Sequence, residues 1–142
     1  MEIARTEDHI MLRLSHGENI LSSLEEVVSQ EKSTLMVYAG LGMITDFELG
    51  YFHEGQYIAR EYKHPHELVS MQGSIASEGE PRMHLHVVVA DKEHNAFGGH
   101  LLKGWVWMSN EIGILRLKGI MSKRWRDPEK KVAILHISQV LG

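Results

Sequence analysis

Met83-His84-Leu85-His86-Val87-Val88-Val89-Ala90, then Asp91-Lys92-Glu93-His94-Asn95, then Ala96-Phe97-Gly98-Gly99-His100-Leu101 is the stretch on which the fold turns. Side chains alternate between the two faces of a strand, so His84 and His86 project one way while Leu85, Val87 and Val89 point into a core. The five polar residues from Asp91 to Asn95 read as a turn. If Ala90 pairs with Ala96, the register sets His86 opposite His100, with Cβ atoms ~5 Å apart on one face. Gly98-Gly99 leaves room for a bulge that would alter this register. With eight or nine short strands and one good helix along the chain, an alternating βαβ architecture does not fit.

The rest of the chain agrees. Ile10 to Leu14, Thr34 to Met43, Phe47 to Phe52, Gln56 to Tyr62, Leu68 to Ile75, Leu101 to Met108, Ile112 to Leu117 and Val132 to Ile137 read as strands, and His53-Glu54-Gly55 marks a second hairpin. One helix is expected from about Glu18 to Glu31, because Ile20, Leu21, Leu24, Val27 and Val28 recur at helical spacing. Gly17 marks its entry, Glu18 suits the positive end of its dipole and Lys32 the negative end. The expected fold is α+β: a single domain over residues 1–142 with a curled, largely antiparallel sheet and one main helix. Pro65, Pro81 and Pro128 are the only prolines and fall where strand patterns stop; no repeat or linker interrupts the chain.

Composition narrows the function classes. The net charge of −4 argues against general attraction to a nucleic-acid backbone. Lys123, Arg124 and Arg126, with Lys130 and Lys131, form the one basic run and read as a solvated loop. No cysteine occurs, so disulfides and thiolate sites are excluded and any metal must be held by nitrogen or oxygen. The polar, acidic start and the lack of an apolar run near ~18 residues point to a cytoplasmic protein rather than a secreted or membrane one.

Ten histidines are dispersed along the chain. His84, His86 and His100 are the candidate metal ligands. Three neutral imidazoles with an open fourth position suit Zn²⁺, and imidazole also accepts Ni²⁺, Cu²⁺, Co²⁺ and Fe²⁺. The bland alternative is three ordinary surface histidines, since a histidine-rich chain produces close pairs by chance. His64 and His66 flank Pro65 without an obvious third ligand and read as loop histidines, although Glu67 stands nearby. His136 reads as a core or edge histidine in an apolar strand. Trp105 and Trp107 share a strand face, which suits core or subunit packing. No nucleotide-binding or hydrolase signature is present.

The run Gly79-Glu80-Pro81-Arg82-Met83-His84-Leu85-His86, Ala90-Asp91, Gly98-Gly99-His100-Leu101 and Gly104 resembles the signature of the PPC domain, the plant and prokaryote domain. His66 to Ile75, Gly17 to Ile20, Ala39 to Met43 and Leu49 to Tyr51 also fit that family, and the resemblance spans about Met11 to Ile137. It implies an antiparallel sheet of about seven strands with a helix packed on it, a homotrimer, and zinc on the histidine triplet. It also implies a regulatory or transcription-associated role with protein partners or DNA. In plant members DNA contact belongs to a separate AT-hook, and this sequence has none. The competing expectation is a metal-dependent enzyme with a metal-bound water, for which Asp91, Glu67 or Glu111 could act as base.

Overall fold

Strict alternation of apolar and polar residues builds most of this molecule, and the buried set traces the inner face of one sheet. Ile10, Leu12 and Leu14 alternate inward on one strand, Leu85, Val87 and Val89 on another, and Ile112 and Ile114 on a third, all buried. The computed structural model describes residues 1–140; Leu141 and Gly142, which the expected domain includes, lie outside the described residues. The elements are β1 (Glu2–Arg5), β2 (His9–Ser15), α1 (Ile20–Val28), β3 (Thr34–His53), β4 (Gln56–Tyr62), β5 (His66–Ile75), β6 (Glu78–Gly79), β7 (Met83–Ala90), β8 (Ala96–Leu117), β9 (Ile120–Arg126) and β10 (Ala133–Gln139).

Among the described residues the protein is mostly β with one short helix. Seven strands form an antiparallel sheet in the order β1-β2-β8-β7-β5-β3-β4, and β8 also pairs with β3. That extra pairing brings β3, β5, β7 and β8 into a closed circuit, so the expected curl is strong. A smaller sheet has the order β10-β9-β6. Ile20, Leu24, Val27 and Val28 of α1 are buried in the same core cluster as the inward strand residues. Each such side chain contributes roughly 1.5–3 kcal/mol of transfer free energy.

Four expectations need correction. The helix is shorter than 18–31. Asn19 caps it by accepting from the Ser22 N–H (3.0 Å), and Glu18 lies before the cap, accepting from the Ser15 N–H (2.6 Å). Lys32 is too far beyond Ser29 to serve the helix end, and no basic residue stands in the last turn. The segments 34–43 and 47–52 are one strand, as are 101–108 and 112–117. Residues such as Asp46 (φ 48°) and Met108 (φ 66°) bend these long strands without ending them. The basic run from Lys123 to Arg126 is no solvated loop: it lies within β9, and Arg124 is 2 % exposed. Trp105 and Trp107, expected in core or subunit packing, flank the inward Val106 and face away from the core, with Trp107 edge-on to His16, so of the two only the core packing is corrected.

Candidate metal centre

The hairpin of β7 and β8 forms in the register its sequence implies. Ala90 pairs with Ala96 and His86 with His100, and no register shift interrupts the ladder at Gly98-Gly99. Asp91 holds the turn by accepting from the N–H groups of Glu93 and Asn95, each at 2.9 Å. The glycines answer to close strand approach instead of a bulge. A Cβ at Gly98 would collide with the Val87 carbonyl oxygen, and one at Gly73 with the carbonyl oxygen of His84.

This register brings the three imidazoles together on the face away from the core. Ring centroids are 4.8 Å apart for His84 and His86, 5.1 Å for His84 and His100, and 5.6 Å for His86 and His100. One ring nitrogen from each lies within 4.8 Å of the other two. The Nε2 atoms of His84 and His86 are 3.0 Å apart. Tyr57 on β4 stacks on His100 at 4.5 Å. It can do so because Gly50, the β3 neighbour of His100, has no side chain; a Cβ there would be 2.8 Å from the Tyr57 ring.

Electrostatics favour the neutral, ligand-competent form of His84 and His100. Burial lowers the pKa of His84, with smaller contributions from His86 and Arg124. Burial, then the charges of His84, His86 and Arg124, pushes His100 down to about 4. Buried Nδ1 of His100 has no hydrogen-bond partner. Such an orphaned atom is unusual in a folded protein, and a metal-ligand set is one setting that accounts for it. The residues therefore fit a divalent ion held by nitrogen.

The other expected participants stand elsewhere. Among the described residues Glu67, Asp91 and Glu111 are outside the cluster, and the Asp91 carboxylate is engaged by its own turn. His66 opens β5, donates through Nδ1 to the His64 carbonyl (2.8 Å) and packs edge-on to Phe47, so it is a packing residue more than a loop histidine. His136 lies exposed on edge strand β10, stacked on Trp125 at 3.5 Å.

Sequence reasoning missed the second wall of the site. A cavity of about 650 Å³ runs from His84 and His100 to Arg124, Arg126 and Lys131, with Glu80 as its acid. Arg124 donates through Nη1 to the carbonyls of Arg82 and, at 3.4 Å, Pro81, and through Nη2 to Ser74 Oγ at 2.7 Å. Burial alone lowers its pKa, with no acid's charge acting against it. Its alternation with Ser122, also inward and buried, was the one signal in the sequence.

A mostly antiparallel sheet curled on itself, one helix, and three histidines gathered by a hairpin define a recognisable class. The chain belongs to the Plants and Prokaryotes Conserved (PCC) domain family, whose pattern matches residues 1–118. A plant- and prokaryote-conserved (PPC) protein from Pyrococcus horikoshii superimposes with a TM-score of 0.81 at 27 % identity, covering 95 % of this chain and 93 % of that one. A candidate DNA-binding protein from Ralstonia eutropha JMP134 gives 0.81 at 26 %, covering 94 % of each chain. The metal-containing protein AF0104 from Archaeoglobus fulgidus shares the fold, with a TM-score of 0.78 at 22 % identity over 94 % of each chain. Among curated proteins, bifunctional protein GlmU from Synechococcus sp. (strain JA-2-3B'a(2-13)) is 28 % identical over 134 residues. That match takes in 92 % of this chain and 20 % of the longer protein, so the chain spans about a fifth of the relative's length.

Proposed function

We propose that the protein binds one divalent metal ion, zinc foremost, through His84, His86 and His100, and works as a homotrimeric module in regulation. The observation that carries this reading is the convergence of one ring nitrogen from each histidine within 4.8 Å. Neutral imidazoles at that spacing need little reorganisation to surround an ion. The metal-containing relative from A. fulgidus is in keeping with it, as is the likeness of almost the whole chain to one fifth of a longer bifunctional protein, which suits a module serving other chains.

Direct binding to DNA is the weaker part of the family's repertoire here. The net charge is −4, Arg124 is buried, and Lys123 lies 3.5 Å from Glu78. A specific observation does favour a second reading, a metal-dependent enzyme: the cavity beside His84 and His100 would give a small molecule access to the ion. A bound ion would supply Lewis-acid chemistry there. The chain's own residues would do the rest: Tyr57 fixes the His100 ring by stacking, and Arg124 presents positive charge.

Elemental analysis of protein purified without a metal column, and after dialysis against zinc, tests the shared premise. One ion per chain is expected in the wild type and none in His84→Ala. A wild-type protein that neither retains nor takes up an ion would end both readings. Among the described residues no helix is long and apolar enough to cross a membrane.

A further inference from the structure

Arg124 poses a question that the histidines do not answer. A cationic side chain that is almost wholly buried is normally neutralised by a carboxylate, because taking an unpaired charge out of water is costly. Here no ion pair among the described residues involves Arg124, and its neighbours are two carbonyls and a hydroxyl. A guanidinium has five N–H donors. Those three acceptors leave two donors without a partner among the described residues. The side chain lines the cavity that opens at His84 and His100, and two further cations, Arg126 and Lys131, line it against the single acid Glu80.

We infer that this cavity is a binding site for a small organic oxyanion, whose anionic group rests on Arg124 while the ligand reaches toward the histidine cluster. The planar guanidinium matches the two oxygens of a carboxylate or phosphate. About 650 Å³ is the size of a metabolite site, and Phe52, Tyr57 and Val132 give it apolar walls for the body of such a molecule. The inference builds on the metal reading for the ligand's second contact, and the anion contact itself needs no ion.

The test uses full-length protein loaded with Co²⁺, whose visible bands report changes at the ion, titrated at constant ionic strength with benzoate and separately with inorganic phosphate. Calorimetry on the metal-free protein runs in parallel. The variants are Arg124→Met and, in case that buried substitution disturbs folding, Arg126→Gln at the exposed rim. Wild type is expected to bind at least one probe, with affinity falling about tenfold to hundredfold in Arg124→Met and less in Arg126→Gln, metal content unchanged. Preference for benzoate identifies a carboxylate with an apolar body; preference for phosphate identifies a phosphorylated ligand. If no Co²⁺ binds but calorimetry still shows an Arg124-dependent anion, the metal reading fails and this one stands. Neither probe binding in either form, or equal affinity in wild type and both variants, overturns it. So does an Arg124→Met protein that changes oligomeric state with anion binding intact, since a second copy's acid would then be neutralising Arg124.

Discussion

At the scale of single residues, the candidate centre rests on what is missing as much as on what is present. Gly73 and Gly98 let β5 and β8 lie close enough to β7 to hold the histidines together. Gly73→Ala is expected to destabilise the fold by about 1–3 kcal/mol through overpacking against the His84 carbonyl, and to weaken metal uptake. Urea denaturation and metal analysis check the two parts. The histidines themselves set a pH dependence. Unfolded imidazoles titrate near 6.5, whereas burial holds His84 below that value and His100 at about 4. Between those values the unfolded chain binds protons that the folded chain refuses, so stability of the metal-free protein falls as pH drops from about 6.5 toward 4. His100→Asn removes one such group and is expected to flatten that slope in urea midpoints taken from pH 7.5 to 4.5. Parallel slopes for the two proteins would contradict it.

At the scale of elements, Asn19 offers a direct check on how α1 is built. Its side chain satisfies an N–H that the helix cannot. Asn19→Ala is expected to cost about 1 kcal/mol in thermal unfolding while leaving the metal content as it was. The hairpin of β7 and β8 was legible in the sequence because the strict alternation of β7 and a five-residue polar turn imply its register, with Gly98-Gly99 the one point left open. The long strands were less legible, since glycines and positive-φ residues that elsewhere end a strand here only bend one. Met43 and Ile44 run on between β5 and β8 across the Gly42 irregularity. The helix end was overrun because Ser29 to Lys32 continue in residues a helix tolerates. After Val28 the chain turns back, and the carboxylate of Glu31 takes two hydrogen bonds from Arg116 on β8, at 2.7 and 2.8 Å. β9 was hidden by its charge: Ile120–Arg126 carries two arginines and a lysine, and arginine is rarely buried. Only the tertiary setting, with β10 on one side and the Pro81-Arg82 carbonyls beneath Arg124, discloses its place in the site.

At the scale of the whole molecule, the face of the sheet opposite the core is unusually apolar at one end. Met11 is 49 % exposed, and Tyr38 and Leu41 are each 50 % exposed. The register gathers them: Met11 pairs with Gly113, which pairs on its other side with Ala39, and Leu41 pairs with Glu111, itself opposite Arg13. The Tyr38 ring lies across Gly113, where a side chain would displace it. A contiguous apolar patch rimmed by an arginine and a glutamate is the composition of a subunit contact. For the proposed homotrimer this patch is the natural seam. Sedimentation equilibrium is expected to return three times the chain mass for the wild type and a monomer for Tyr38→Glu combined with Leu41→Glu, because two charges would be buried unpaired at each contact. All three imidazoles of a candidate centre belong to one chain, so the dissociated variant is expected to keep one ion per chain. A monomeric wild type, or a double variant that remains trimeric, would remove this face from the assembly while leaving the histidine cluster untouched.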